Sequence, residues 1–118
     1  PGLSINDFGD SIRFGANHNA EDEPDLAKVN LDVDLFAVYT EAFLSEAGDA
    51  LTDAEIAYLP WGAKLMTLEC GMRFLTDYLE GDRYFRIHRP EHNLDRARTQ
   101  FALVADMERK WDAMKRFV

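Results

Sequence analysis

The sequence predicts an all-α domain of about four to five helices, and three observations carry that prediction. Apolar residues recur at spacings of three and four in one stretch after another. Helix start and stop signals separate those stretches: Thr52 with Glu55, then Pro60, Gly81 and Pro90. No stretch alternates apolar and polar residues in the manner of a strand. A chain of 118 residues is one domain with a modest core. It opens with Pro1 rather than Met, which reads as a piece of something larger.

Residues 1–15 form the first helix, with Leu3, Ile5, Phe8, Ile12 and Phe14 as its apolar positions and Ser4 or Asn6 as its cap. Gly9 inside that helix costs about 1 kcal/mol relative to alanine, which points to close packing against another backbone. Residues 16–30 are polar and acidic (His18, Glu21, Asp22, Glu23, Asp25) and read as a solvated surface loop. Their spacing does not match a calcium loop. The second helix spans 31–47, started by Asp32 or Asp34 and ended by Gly48. Leu35, Val38, Tyr39, Ala42 and Phe43 share its apolar face.

Thr52 and Glu55 have the spacing of a capping box, so a short helix follows to Leu59. Pro60 then marks a break or the first turn of the next helix, which runs from Trp61 to Glu80. Residues 83–90 are irregular. His88 and His92 are four apart with Pro90 between them, so they cannot share a helical face as zinc pairs do. From Pro90 one long helix runs almost to Val118, burying Leu94, Ala97, Phe101, Val104 and Trp111, with Met107 and Met114 alongside. Lys110, Lys115 and Arg116 stand in its last turns, where cations suit the helix dipole.

The stretch 67–85, TLECGMRFLTDYLEGDRYF, organises the rest. Leu65, Leu68, Met72, Leu75 and Leu79 form a stripe that predicts a core-facing side. Glu69, Arg73 and Asp77 are four apart, with an acid one turn to either side of the guanidinium. Gly81 is the residue for a left-handed helix stop, and the exit turn carries Asp82 through Phe85. Arg73 and Tyr84 are thereby expected to meet across the helix end. On pattern alone Arg73 is a solvated intrahelical ion pair.

Acidic residues outnumber basic ones, 22 to 13, for a net charge of −9. That balance argues against gripping a nucleic-acid backbone or an anionic membrane. The single cysteine, Cys70, reads as a small buried hydrophobe in a reducing, cytoplasmic setting. There is no apolar run of membrane-spanning length.

Asp7-Phe8-Gly9 spells the metal-binding tripeptide of protein kinases. That aspartate needs a preceding strand and upstream catalytic residues, and only six residues precede Asp7 here. A longer match is more specific. PGLSINDFGDSIRFGA, then LECGMRFLTDYLEGDRYF and PEHNLDRARTQ, resemble the C-terminal portion of N-acetylhexosamine 1-kinases, in the right order and at the right spacing. These enzymes belong to the aminoglycoside phosphotransferase and choline kinase superfamily, and some members have carried a mucin-desulfatase label. No sulfatase motif is present.

The resemblance implies that residues 1–118 are the helical subdomain of a kinase-like fold. It implies a parent that transfers the γ-phosphoryl of ATP, with magnesium, to the sugar 1-hydroxyl. Arg73 and Tyr84 match the positions that hydrogen-bond the sugar, with Glu69 and Asp77 orienting Arg73. Asp7 matches an aspartate that holds the catalytic loop, and Asp10 with Arg13 a supporting ion pair. The catalytic and metal-binding acids of the family lie upstream, so this chain itself carries no catalytic residue and no metal or cofactor site. The implied partners are the rest of the parent kinase and a small sugar, with another copy of the chain where the parent is absent. The alternatives are a different acceptor (an aminoglycoside, choline or homoserine) or a non-catalytic helical interaction module.

Overall fold

Six α-helices account for the architecture in the computed structural model, which describes residues 3–47, 49 and 51–116. They are α1 (Leu3–Gly15), α2 (Val33–Ala47), α3 (Asp53–Ala57), α4 (Leu59–Leu79), α5 (His92–Arg109) and α6 (Trp111–Arg116), with one 3₁₀ turn at Leu26–Lys28. No strand occurs among the described residues, and four of the helices are seven residues or longer. No described helix is long and apolar enough to cross a membrane.

Several local signals act as the sequence predicts. The Thr52 side chain accepts from the Glu55 N–H at 3.1 Å, while the Glu55 carboxylate accepts from the Thr52 N–H at 3.0 Å. Pro60 sits in the first turn of α4, where a missing N–H costs nothing. Asp32 starts α2, its carboxylate accepting from the Leu35 N–H at 3.1 Å. Gly81 ends α4 with φ of 95°.

Other expectations are corrected. α1 is already helical at Leu3, so neither Ser4 nor Asn6 stands at its start. On α2 the buried residues are Phe36 and Thr40, whereas Val38 and Tyr39 are exposed. The last helix is two: it breaks at Lys110, whose ammonium reaches the Leu31 carbonyl (2.7 Å) and the Asp106 carboxylate (2.6 Å). That break turns α6 so that Met114 enters the core. The predicted side chains of Leu3 and Ile5 and the stop at Gly48 lie outside the described residues.

The core gathers Phe8, Ile12, Phe36, Leu59, Leu103, Met107 and Met114, with Phe8 edge-on to Phe36 at 5.9 Å. α4 lies between α1 and α5, its two most extensive neighbours. At Gly9 the approach is backbone to backbone, as the mid-helix glycine predicts. A β-carbon there would stand 2.7 Å from the Gly62 carbonyl carbon and closer still to its oxygen. The chain measures 45 × 30 × 18 Å, and 18 Å is about two helix diameters. A slab that thin cannot enclose its central helix, so one face of α4 remains outside.

That outside face is the apolar stripe. Leu65 is 56 %, Met72 55 % and Leu79 75 % exposed, against the expectation that they form the core side. The buried face carries Gly62, Ala63, Thr67, Gly71, Phe74 and Asp77 instead. Leu59 and Phe74 are also buried on α4, but the positions between them are small where α1 and α5 approach closely, at Gly62 and Gly71. The large residues are displaced to the open side.

Candidate functional site

The C-terminal end of α4 and the segment after it build a groove of ≈800 Å³. Its floor is the outer face of α4, with Leu65, Leu68, Met72 and Thr76, and its rim carries Arg73 and Tyr84. The exit segment is held by Asp77. Gly81 and Asp82 both take positive φ, and the Asp82 N–H donates back to the Asp77 carbonyl at 2.8 Å. The chain is thus turned so that the Tyr84 N–H (2.7 Å) and the Phe85 N–H (3.0 Å) donate to the Asp77 carboxylate. The Asn93 amide from α5 adds a third donor at 2.8 Å and also reaches Asp82 at 3.0 Å. Burial pushes the Asp77 carboxyl up, but these donors outweigh it and hold the group below the usual carboxylate range.

Arg73 and Tyr84 meet, as the sequence predicts. The Arg73 guanidinium lies 5.8 Å from the Tyr84 ring and 6.0 Å from the Phe85 ring, within cation–π range of both. Phe85 in turn packs on Phe74 at 4.7 Å, which anchors the rim to the interior. Arg73 makes no ion pair among the described residues. The expected orienting role of Glu69 and Asp77 is therefore corrected. Glu69 is exposed, and Asp77 faces inward and is 4 % exposed, so it positions Tyr84 rather than Arg73.

The remaining candidate residues lie on α1. Asp7 is exposed in the second turn, and its backbone carbonyl accepts from the Ser11 hydroxyl at 3.0 Å. Asp10 and Arg13 form the expected pair at 3.1 Å. Arg13 also donates to Glu21 at 2.6 Å, which ties the acidic loop to α1. That loop is not simply solvated. Asp22 pairs with His92 at 2.9 Å and with Arg89 at 3.4 Å, and the Glu23 carbonyl accepts from Thr99 at 2.7 Å. His92 is buried with its second ring nitrogen accepting from the His88 N–H at 3.2 Å, a structural role. No group of three metal-ligating side chains occurs among the described residues.

Sequence reasoning missed Asn93, Phe85, Arg86 and Arg96. Asn93 stands in the first turn of α5, a place where asparagine commonly bonds backbone, and that was its only signal. Chemically, the groove can bind and orient a ligand. It offers an exposed guanidinium within cation–π range of two rings, a phenol and an apolar floor, with both polar groups on one rim. No protein-family model matches the chain.

Proposed function

We propose that this chain is the acceptor-binding helical part of a small-molecule kinase in the aminoglycoside phosphotransferase and choline kinase superfamily, with an N-acetylhexosamine as acceptor. The observation that carries the reading is the pairing of Arg73 with Tyr84 on the rim of the outer α4 groove. Sugar hydroxyls and an acetamido carbonyl need one donor fork and one donor–acceptor phenol, while the sugar ring's C–H face suits an apolar floor. Phosphoryl transfer is mostly positioning and charge neutralisation, and this wall contributes the positioning.

Among the described residues no three metal-ligating side chains form a group. In this reading ATP and magnesium are held by the rest of the parent protein. Among acceptors of this superfamily, Arg73 favours a neutral sugar or homoserine over cationic choline or an aminoglycoside, since its own charge opposes theirs. The exposed stripe of Leu65, Met72 and Leu79 fits the same reading, as a surface covered by the rest of the parent. Without that cover, two copies of the chain pair through the stripe. A non-catalytic interaction module is the second reading, and it rests on the stripe alone.

The test is ATP-dependent phosphorylation of N-acetylglucosamine and N-acetylgalactosamine by the intact parent, compared with Arg73→Ala and Tyr84→Phe. Under this reading kcat/KM falls by orders of magnitude in Arg73→Ala and less in Tyr84→Phe. A parent that turns over a sugar equally well with Arg73→Ala contradicts the assigned site. A parent without nucleotide-binding residues leaves the interaction module as the better reading.

A further inference from the structure

A second cavity, of ≈440 Å³, lies on the other side of Arg73, between α4, α1 and the segment before α5. Four arginines line it, Arg13, Arg73, Arg86 and Arg96, in a chain whose net charge is −9. Their bonding separates them. Arg13 is saturated, with Asp10 on one side and Glu21 on the other. Arg96 gives one nitrogen to the Arg86 carbonyl (3.0 Å) and to Asn93 (2.9 Å), and its guanidinium rests on the Phe74 ring at 5.5 Å. Its other terminal nitrogen has no hydrogen-bond partner among the described residues. Arg73 and the Arg86 side chain have none either.

Glu21, which Arg13 holds, also lies 4.0 Å from Arg96, so exposed Glu69 is the one acid on the lining left for Arg73 and Arg86. The lining thus carries four guanidinium groups against three carboxylates, and Arg73 and Arg86 are the two without an ion pair among the described residues. Like charges gathered around a part-buried cavity repel unless an anion joins them, and planar guanidinium forks match the oxygens of a phosphate. The Cys70 thiol is a neutral neighbour, because burial pushes it up and away from ionisation. The remaining walls are apolar, with Phe14, Met66, Phe74 and Phe85. The volume lies within the range of small-molecule sites.

We propose that this cavity binds the phosphate of a small phosphorylated molecule. Arg73, Arg86 and Arg96 clamp the phosphate oxygens, and the molecule's ring or apolar body lies against Phe74 and Phe85. The inference goes beyond the acceptor reading and requires no phosphoryl transfer; the two cavities share Arg73 and Phe85, and Arg86 and Arg96, which line this one alone, distinguish it.

Calorimetry and amide NMR on the chain with phenyl phosphate, benzoate and phenol test it, with no nucleotide or sugar present. Phenyl phosphate is expected to bind, more tightly than benzoate, and phenol not at all. Shifts should centre on Arg86, Arg96 and Phe74. Arg86→Gln, at an exposed side chain without a bond to lose, should weaken binding about tenfold, the worth of one charge-assisted hydrogen bond. Arg73→Gln is a second variant with the same expected direction. Equal affinity in both variants, absence of phenyl phosphate binding, or benzoate binding as tightly as phenyl phosphate each overturns the proposal.

Discussion

The two faces of α4 obey opposite rules. The inner face is the buried one, and after Leu59 and Pro60 in its first turn it carries Gly62, Ala63, Thr67, Gly71, Phe74 and Asp77, mostly small or polar. The outer face carries Leu65, Met72 and Leu79, large and apolar, and it is exposed. Hydrophobicity would assign them the other way round. What decides the inner face is the distance of approach: where two backbones come together at Gly9 and Gly62, there is no room for a larger side chain. An apolar stripe left outside a tightly packed inner face marks where something else binds.

Adding volume to the inner face gives the largest expected effect. Gly9→Val sets a branched side chain against the Gly62 carbonyl and should cost about 3 kcal/mol, read from the denaturant midpoint. If Gly9→Val unfolds at the wild-type midpoint, close approach is not what selects the inner residues.

An intermediate effect is expected at Asp77, the polar end of that face. Its carboxyl titrates below the ordinary value of about 4, so the unfolded chain takes up a proton before the folded one does. The stability that Asp77 contributes is fully present above that ordinary value and is lost as pH falls through the lower folded value. Asp106 behaves alike. Burial raises its pKa, while Lys110, the Leu31 N–H and Arg109 lower it further. Acid titration of the Tyr84 and Phe85 amides should show the exit segment loosening only in that acid range, and Asp77→Asn should loosen it already at neutral pH. Unchanged amide exchange in Asp77→Asn would remove Asp77 as the holder of the rim.

The smallest effect on stability belongs to the outer face. Leu65→Ser with Met72→Ser should alter unfolding by no more than about 0.5 kcal/mol, since neither side chain is buried. The same pair should abolish self-association of the chain in sedimentation velocity. A wild-type chain that sediments as a monomer at high concentration contradicts the pairing, though not the groove.

Much of this is legible in the sequence alone. Gly9 announced a close backbone contact, Thr52 with Glu55 announced a cap, and Gly81 announced the stop that brings Tyr84 back to Arg73. Each is a local rule with one physical solution. The orientation of α4 was not legible. A stripe at spacings of three and four shows that a helix has an apolar side, but not whether this domain or another partner covers it. The break at Lys110 was hidden for a different reason: no glycine or proline marks it, and the ammonium's partner, the Leu31 carbonyl, is far away in sequence. Asp77 misled because its bonding partners lie beyond the helix, at Tyr84, Phe85 and Asn93, while the four-residue spacing pointed to Arg73.

The most direct test uses the four methionines of the chain. Met66 and Met72 line the outer groove, whereas Met107 and Met114 are fully buried in the core. With ¹³C-labelled methionine methyl groups in the parent protein, titration with N-acetylglucosamine or N-acetylgalactosamine should move Met66 and Met72 and leave Met107 and Met114 in place. Saturating sugar that moves neither groove methyl, or moves all four alike, contradicts the assignment of the outer face of α4 as the acceptor wall.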